Sequence, residues 1–275
     1  MHRLAPPALA VITKLRAPES VLHDREQDLY FISNINGGLL SVDNNGFISR
    51  VHPDTMQVDL KWIEGGRSGV RLDAPKGMAI LGDTLYVSDV TAVRKFDRRT
   101  GASLGEIALQ GAALINDITT DGRSLYVTDT GLLTGPGKTF FRTGCDAIWK
   151  ITGDQPEKLA SSTTLRHPNG IDYVDGKLRV VTFGPNELYE LRDGKRRDLA
   201  KLPGGQLDGL VHLDDGTALI SSWEGEGIYR ETTHGEFEPV LTGIDAPADL
   251  GYDYKRHRLL VPSSGTNQVT IHAIR

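Results

Sequence analysis

The sequence has a single cysteine, Cys145, among its 275 residues. One thiol excludes an intramolecular disulfide and a cysteine-rich zinc site, and it is compatible with the cytoplasm or the periplasm. No stretch of about 18 apolar residues occurs, which excludes a membrane-spanning helix. The apolar run after Arg3 is too short to predict a signal peptide, although a removed signal stays open. These absences indicate a soluble protein and leave its compartment unknown.

Strong charge of one sign is also missing, because the net charge is only −5 at pH 7. The one tight basic cluster, Lys195-Arg196-Arg197, follows Asp193-Gly194, and we interpret it as a solvated hairpin turn. A nucleic-acid surface would need an extended basic stripe. The sequence also lacks Gly-x-Ser-x-Gly, His-Glu-x-x-His and His-x-His motifs, which argues against a serine hydrolase and a zinc protease. We therefore expect a small-molecule partner, with no nucleic acid and no membrane.

Internal repeats are what the sequence does contain. Six segments share an opening tripeptide, a short apolar strand, a Gly or Asp turn and a second strand that resembles Leu-Tyr-Val-Ser-Asp. The openings are Pro18-Glu19-Ser20, Pro75-Lys76-Gly77, Ile115-Asn116-Asp117, Pro168-Asn169-Gly170, Leu207-Asp208-Gly209 and Pro247-Ala248-Asp249. Their middle residues are spaced by 57, 40, 53, 39 and 40 residues, a period typical of propeller blades with insertions in two repeats.

No convincing helical periodicity runs longer than a turn or two, whereas strand signals recur throughout. We therefore predict an all-β protein, a single six-bladed β-propeller over residues 1–275 with four-stranded blades. The last repeat contains only about three strands. The segment from Ala8 to Lys14 is expected to supply the fourth and close the ring.

The first strand of each propeller blade lines the central channel, so the middle residues of the openings should form a ring at one mouth. That ring contains two carboxylates, Glu19 and Asp208, and two amides, Asn116 and Asn169, beside Lys76 and Ala248. Oxygen ligands with two negative charges suit a hard divalent cation, and calcium fits best, with magnesium, manganese or zinc as alternatives. Any one Asn-Gly or Asp-Gly pair could instead be turn chemistry, but the same position in four repeats favours a metal site.

The openings resemble those of the senescence marker protein and gluconolactonase family, which includes regucalcin. The resemblance spans nearly the whole chain and rests on four stretches: Pro18-Glu19-Ser-Val-Leu-His-Asp24, Asn116-Asp-Ile-Thr-Thr-Asp-Gly122, Pro168-Asn169-Gly-Ile171 and Leu207-Asp208-Gly-Leu210. It implies that Glu19, Asn116, Asn169 and Asp208 hold a catalytic divalent ion, and that the activity is hydrolysis of lactones or phosphotriesters. Members that accept sugar lactones carry an arginine at the position of Leu114, which places sugar-lactone specificity in doubt.

Loops between second and third strands should return to the metal face. Those of blades one and three are long, running from Asn34 to Gly46 and from Gly131 to Gly144, and they are either lids or tolerated insertions. Around the same rim we expect polar and aromatic substrate contacts. The candidates are Asn34, Lys76, Phe140, Phe141, Phe183 and Trp223. The aromatic residues could alternatively pack between blades.

The expected reaction is attack on a lactone or similar small ester, with the cation polarising the carbonyl oxygen. Asp208 is the candidate base or nucleophile, with Asn116 and Asn169 as its catalytic partners; a water molecule activated by the cation is the alternative attacking group. Two other functions stay open. One is a phosphotriesterase on the same site, and the other is a non-catalytic binding propeller stabilised by its metal. We expect a monomer or weak homo-oligomer.

Overall fold

The repeats form antiparallel strands, because short runs of Val, Ile, Leu and Tyr between Gly and Asp turns create half-buried pleated surfaces. The computed structural model describes residues 7–134, 140–232 and 235–274. Within those ranges the only helical element is one turn of 3₁₀-helix, Thr163–Leu165. All other regular structure there is β.

The strands are numbered in chain order. The first nine are β1 (Ala10–Ile12), β2 (Pro18–Asp24), β3 (Leu29–Asn34), β4 (Phe47–Val51), β5 (Val58–Glu64), β6 (Pro75–Leu81), β7 (Thr84–Asp89), β8 (Ala92–Asp97) and β9 (Ser103–Ala108). The next ten are β10 (Ile115–Thr120), β11 (Ser124–Asp129), β12 (Leu132–Thr134), β13 (Phe140–Arg142), β14 (Ala147–Thr152), β15 (Gln155–Ser161), β16 (Pro168–Val174), β17 (Lys177–Thr182), β18 (Glu187–Arg192) and β19 (Lys195–Lys201). The last seven are β20 (Leu207–His212), β21 (Ala218–Ser222), β22 (Gly227–Glu231), β23 (Phe237–Thr242), β24 (Gly251–Asp253), β25 (Arg258–Ser263) and β26 (Gln268–Ala273).

Six four-stranded antiparallel sheets form the blades, and they confirm the predicted six-bladed β-propeller. Blades 1, 2, 4 and 5 use consecutive strands, β2–β5, β6–β9, β16–β19 and β20–β23. Blade 3 consists of β10, β11, β14 and β15, and its second loop contains the extra hairpin β12–β13. The cluster Lys195-Arg196-Arg197, interpreted above as a turn, begins β19 directly after Asp193-Gly194.

The sixth blade joins the two ends of the chain. Its strand order is β24-β25-β26-β1, so β1 is the outermost strand. Ala10 pairs with Ile271 and Ile12 with Val269, and the backbone N–H of Leu9 donates to the Ile271 carbonyl at 2.7 Å. The predicted closure by an N-terminal strand is confirmed.

The core lies between neighbouring blades rather than within any one of them. Six apolar clusters each combine residues of two adjacent blades; the cluster joining blades 2 and 3, for example, includes Val93, Ile107, Ile118, Val127 and Trp149. Full burial of one such aliphatic side chain contributes roughly 1.5–3 kcal/mol. Each blade is therefore stabilised on both sides, and the ring holds the first strands in mutual contact.

Among the described residues, no helix has the length and apolar character needed to cross a bilayer.

Candidate metal and substrate site

A break in strand pairing places the ring residues at the mouth of the channel. In each of blades 1 to 5 the pairing of the first strand with the second is interrupted directly after the opening residue, for example between Pro168 and Ile171 and between Leu207 and Leu210. An interruption of this kind lets a strand bend and re-aim one side chain. Asn169 and Asp208 both lie inside such a break, so local backbone irregularity directs them to the channel.

Hydroxyl groups on the second strands fix these irregular segments. Thr128 Oγ1 accepts a hydrogen bond from the Asp117 N–H at 3.0 Å and donates to the Asn169 carbonyl of the next blade at 2.6 Å. Ser221 Oγ makes the equivalent pair, accepting from the Gly209 N–H at 2.7 Å and donating to the Ala248 carbonyl at 2.9 Å. Each hydroxyl therefore bridges a backbone N–H of its own blade and the backbone carbonyl of the ring residue in the following blade.

Second-strand hydroxyls make similar hydrogen bonds in blades 2 and 1. Ser88 Oγ donates to the Asn116 carbonyl, and Ser33 Oγ accepts from the Ser20 N–H at 2.9 Å. Between blades 6 and 1 a direct backbone bond replaces the hydroxyl, since the Asp249 N–H donates to the Glu19 carbonyl at 2.8 Å. The backbone of the ring is thus held before any ligand binds.

The glycines that follow two of the ring residues do not form turns. A Cβ on Gly170 would collide with the Asp208 carbonyl oxygen, and one on Gly209 would collide with the Leu250 backbone nitrogen. Neighbouring first strands approach too closely there for a side chain. The Asn-Gly and Asp-Gly pairs are therefore explained by close strand packing, and turn chemistry is not the reason for them.

One cavity brings the whole predicted ring together. Its lining includes all six ring positions: Glu19, Lys76, Asn116, Asn169, Asp208 and Ala248. The space open to water-sized molecules is about 30 Å³, so the cavity in this state is suited to an ion or a water rather than to a whole substrate. The four candidate ligands therefore share one small polar floor.

Hydrogen bonds orient two of these ligands. The Asn169 amide nitrogen donates to Asp208 Oδ1 and to the Leu207 carbonyl, both at 3.0 Å, which leaves its Oδ1 for the cavity. Trp223 Nε1 donates to Asp208 Oδ2 at 2.8 Å. Partners of this kind fix the direction of a metal ligand and raise its affinity. Hydrogen bonds accordingly hold Asn169 and Asp208 in fixed orientations beside each other in the cavity.

Two buried oxygens in the floor have no hydrogen-bond partner among the described residues: Glu19 Oε2 and Asn169 Oδ1. A buried acceptor without a partner costs roughly 1–3 kcal/mol, and a hard cation would satisfy both. Glu19 and Asp208 would bring two negative charges and Asn116 a further amide to the same ion. The residues present therefore fit a divalent cation through mixed carboxylate and amide ligands, although no group of three or more His, Cys, Asp or Glu side chains in the described ranges is arranged to hold a metal ion.

Burial dominates the electrostatics of the floor. It raises the pKa of Asp208 to about 7, against the lowering effect of the hydrogen bonds from Trp223 and Asn169. The pKa of Glu19 lies well above its ordinary value because of burial and the neighbouring Asp208 charge, while Lys76 acts in the opposite direction. Burial lowers the pKa of Lys76, whose ammonium group donates to the Ala74 carbonyl at 2.8 Å.

Two more carboxylates lie just below the ring. Burial raises the pKa of Asp117 to about 8, and burial together with the Asp117 charge raises the pKa of Asp249 well above its ordinary value. Asp117 accepts from the Ile118 and Ile171 N–H groups, both at 2.7 Å. Burial in the channel therefore favours the protonated, uncharged form of both groups.

Apolar side chains form the walls above this floor. Leu114 lies there, at the position for which the family resemblance implied an arginine. Phe183 and Trp223 also line the cavity, with their rings edge to face at a centroid distance of 5.3 Å. Ile35 and Leu39 come from the long loop of blade 1, and Leu132 comes from that of blade 3, so both insertions contribute side chains to the wall.

Two of the predicted substrate contacts, Asn34 and Phe141, do not line this cavity. Asn34 is fully buried, and its amide is used in the fold: Oδ1 accepts from the Arg16 N–H at 3.0 Å, and Nδ2 donates to the Ile32 carbonyl and to Ser49 Oγ. Phe141 is about half exposed on the hairpin, paired with Leu133. The side chain of Phe140 lies outside the described residues.

Sequence reasoning did not single out some of the residues that complete the site. Thr130 and Ser264 line the cavity, and Thr130 Oγ1 is buried without a partner among the described residues. Both follow the ends of second strands, which is the one signal that could have identified them. The hydroxyls of Ser88, Thr128 and Ser221 occupy the recurring Ser or Thr of the second-strand pattern.

Comparisons with known proteins address the fold of this chain. No protein-family model matches the sequence, and no curated protein matches it either. A gluconolactonase from Xanthomonas campestris superposes with a TM-score of 0.63 at 18% identity, over 98% of both chains. A second protein, itself only provisionally assigned as a gluconolactonase, gives 0.68 at 17% identity, over 98% of this chain and 93% of its own.

The likeness is one of fold alone. A virginiamycin B lyase from Staphylococcus aureus, solved as a catalytically inactive variant with quinupristin, matches about as well, with a TM-score of 0.64 at 14% identity over 97% and 99% of the two chains. The Cps50 propeller domain of Myceliophteria thermophila gives 0.62 at 13% identity, over 97% of this chain and 100% of its own. These neighbours include gluconolactonase-like propellers, but such a spread of functions assigns none of them to this chain.

Proposed function

We propose that this protein is a divalent-cation-dependent hydrolase of a lactone or a similar small ester. The observation that carries the proposal is the convergence of Glu19, Asn116, Asn169 and Asp208 on one cavity, with buried Glu19 and Asn169 oxygens that have no partner among the described residues. The gluconolactonase-like structural neighbours are consistent with it. Calcium is the ion that this set of oxygen ligands favours, and magnesium, manganese and zinc are the alternatives.

A bound cation would supply Lewis acidity, which polarises the scissile carbonyl and offsets the negative charge that develops on its oxygen. Asp208 is the group of the chain suited to accept the proton of an attacking water. Its two oxygens are held by Trp223 and Asn169 at the floor of the cavity, and a cation bound beside it would favour its ionised, proton-accepting form.

The other floor residues position this base and balance charge. Asn169 keeps its amide nitrogen on Asp208 and presents its oxygen to the cavity, and Ser88 holds the backbone of Asn116. Lys76 contributes positive charge beside Glu19. The apolar walls exclude water, which strengthens every electrostatic interaction inside the cavity.

The test begins with chelator-stripped protein, to which calcium, magnesium, manganese or zinc is restored one at a time. Hydrolysis of γ- and δ-lactones, aryl esters and a phosphotriester is measured beside calcium binding by calorimetry. Wild-type protein should show turnover that depends on one of these ions, whereas Asp208→Asn and Glu19→Gln should lose turnover and bind the ion at least tenfold more weakly. Asp59→Asn, on an exposed edge strand, is the matched control.

Turnover that survives chelation, or an Asp208→Asn variant as active as wild type, would refute the proposal. Hydrolysis of the phosphotriester alone would keep the cation site and change the substrate class. A second candidate function, a binding propeller that keeps its cation for stability, is favoured by the narrowness of the cavity, about 30 Å³. It predicts calcium binding with a raised melting temperature and no turnover of any ester.

A further inference from the structure

The walls of the cavity offer few groups that could pair with a hydroxylated substrate. Six of the residues that line it above the floor are apolar: Ile35, Leu39, Leu114, Leu132, Phe183 and Trp223. They come from segments of blades 1, 3, 4 and 5, so the apolar character is not confined to one side. The remaining wall residues are Thr130 and Ser264, which contribute two hydroxyls.

The polar groups of the floor already form hydrogen bonds within the protein or would bind the proposed cation. Trp223 Nε1 donates to Asp208, and the Lys76 ammonium group donates to the Ala74 carbonyl. The Asn169 amide nitrogen is bonded twice within the protein. A sugar ring with several hydroxyls would lose hydrogen bonds to water here and regain few of them, which weakens its binding.

Leu114 is held rigidly in this wall. Its N–H donates to Asp129 Oδ1 at 3.0 Å, and its carbonyl accepts from the Thr130 N–H at 2.9 Å. Its side chain is 4% exposed, and it precedes the floor residue Asn116 by two positions. The backbone of Leu114 is therefore fixed on both sides, and its buried side chain forms part of the apolar wall.

Apolar side chains of both long loops lie beside the floor. Leu39 in the blade 1 loop lines the cavity, and Val42 in the same loop is 64% exposed. In the hairpin β12–β13, Leu132 lines the cavity, whereas Leu133 and Phe141 pair with each other on the opposite face. A substituent that extends from the floor would therefore contact Leu39 and Leu132.

We infer that the site takes a lactone or ester carrying an apolar alkyl or aryl substituent and no ring hydroxyls, with Leu114 as a specificity-determining residue. This inference rests on the hydrolase function proposed above. Each methylene group of the substituent that becomes buried contributes about 0.8 kcal/mol, which corresponds to roughly a fourfold rise in kcat/KM. The rise should level off once the chain reaches past the rim.

The experiment compares γ-lactones with alkyl substituents of one, four and six carbons, with glucono-δ-lactone as the hydroxylated reference, using protein restored with its active ion. For wild type, kcat/KM should rise at least tenfold from the one-carbon to the four-carbon substituent, and glucono-δ-lactone should be the poorest of the four. Leu114→Gln should reduce the preference for the long chain at least fivefold. Leu114→Met should retain the rise with chain length, and Leu104→Gln, on the exposed outer strand of blade 2, is the surface control.

A flat chain-length series, or glucono-δ-lactone as the best substrate, would overturn the inference while leaving the hydrolase proposal intact. If no ester is hydrolysed with any ion, ligand binding is measured by the thermal shift of the same protein. Stabilisation by the six-carbon lactone but not by gluconate would support the apolar ligand class without hydrolysis. Stabilisation by neither compound would refute both the apolar ligand class and the hydrolase proposal. The wild-type series remains decisive if Leu114→Gln does not fold.

Discussion

The Thr128 hydroxyl is the place where the geometry of the ring can be tested most directly. Thr128→Val keeps the shape of a fully buried side chain and removes only the oxygen that pairs the Asp117 N–H with the Asn169 carbonyl. Both backbone groups would then be buried without a partner. Each such loss costs roughly 1–3 kcal/mol, so the expected decrease in the free energy of unfolding is about 2–5 kcal/mol.

The assay is urea-induced unfolding followed by tryptophan fluorescence, with the stability change taken from the shift in midpoint at an unchanged slope. Thr119→Val is the matched control in the same blade, because its hydroxyl makes only a long, partly buried bond of 3.4 Å to Asp172. It should cost about 0.5 kcal/mol or less. A Thr128→Val variant as stable as this control would refute the assigned role of the second-strand hydroxyls.

Ser221→Ala is the corresponding change in blade 5, since Ser221 pairs the Gly209 N–H with the Ala248 carbonyl. Its expected cost is of the same order, about 2–4 kcal/mol. Of these two hydroxyls only that of Thr128 bonds to the backbone of a candidate ligand, so calcium affinity should fall in Thr128→Val and be less affected in Ser221→Ala. Equal effects on calcium affinity would show that the two hydroxyls act only through overall stability.

Three further outcomes are expected. Calcium at 100 times Kd should stabilise wild type by about 2.7 kcal/mol, and the tenfold or greater loss of affinity expected for Asp208→Asn should reduce this to about 1.4 kcal/mol or less, as measured by thermal unfolding. Hydrogen bonding to Arg256 holds the pKa of Asp28 well below its usual range. The ionised Asp28 therefore stabilises the fold above about pH 4, and this stabilisation is lost as the pH falls further. In urea titrations the stability difference between wild type and Asp28→Asn, about 1 kcal/mol at pH 7 after solvent screening, should shrink towards pH 3. Deletion of Ala10–Ile12 should lower the melting temperature by several degrees and promote association, as seen by light scattering, because it exposes the edge of β26.

Each of these has a distinct contradicting result. Calcium stabilisation of Asp208→Asn equal to that of wild type would place the ion elsewhere. A difference between wild type and Asp28→Asn that grows on acidification would show that the sign of the pKa shift is wrong. A deletion variant that melts like wild type and stays monodisperse would show that β1 is not needed to close the ring.

The ring could be predicted from the sequence because the repeats supply the same position six times. The bare alternation of short strands and turns indicated the blades, and the opening tripeptides located Glu19, Asn116, Asn169 and Asp208 without any knowledge of distances. The ring closure followed from counting strands in the last repeat. All of these depend on regularity along the chain, which a sequence records directly.

The rim could not be predicted in the same way, because it is built from the parts that differ between repeats. Asn34 ends the strand β3 like its counterparts in other blades, yet its amide satisfies backbone and hydroxyl groups beneath the loop, an arrangement that no repeat comparison reveals. Leu132 and Phe141 lie in one hairpin on opposite sides, and only the strand pairing decides which of them lines the cavity. Turn preference likewise gave the wrong reason for Gly170, where the neighbouring strand leaves no room for a side chain.

The joining of β1 to β26 has a consequence for the timing of folding. About 260 residues separate the paired Ala10 and Ile271, and a ribosome adds about 5–20 residues per second. The N-terminal segment therefore waits for tens of seconds, with its hydrogen-bonding edge unpaired, before its partner strand is synthesised. Closure of the ring therefore depends on the synthesis of β26, and until then the pairing edge of β1 has to be kept from pairing with other chains.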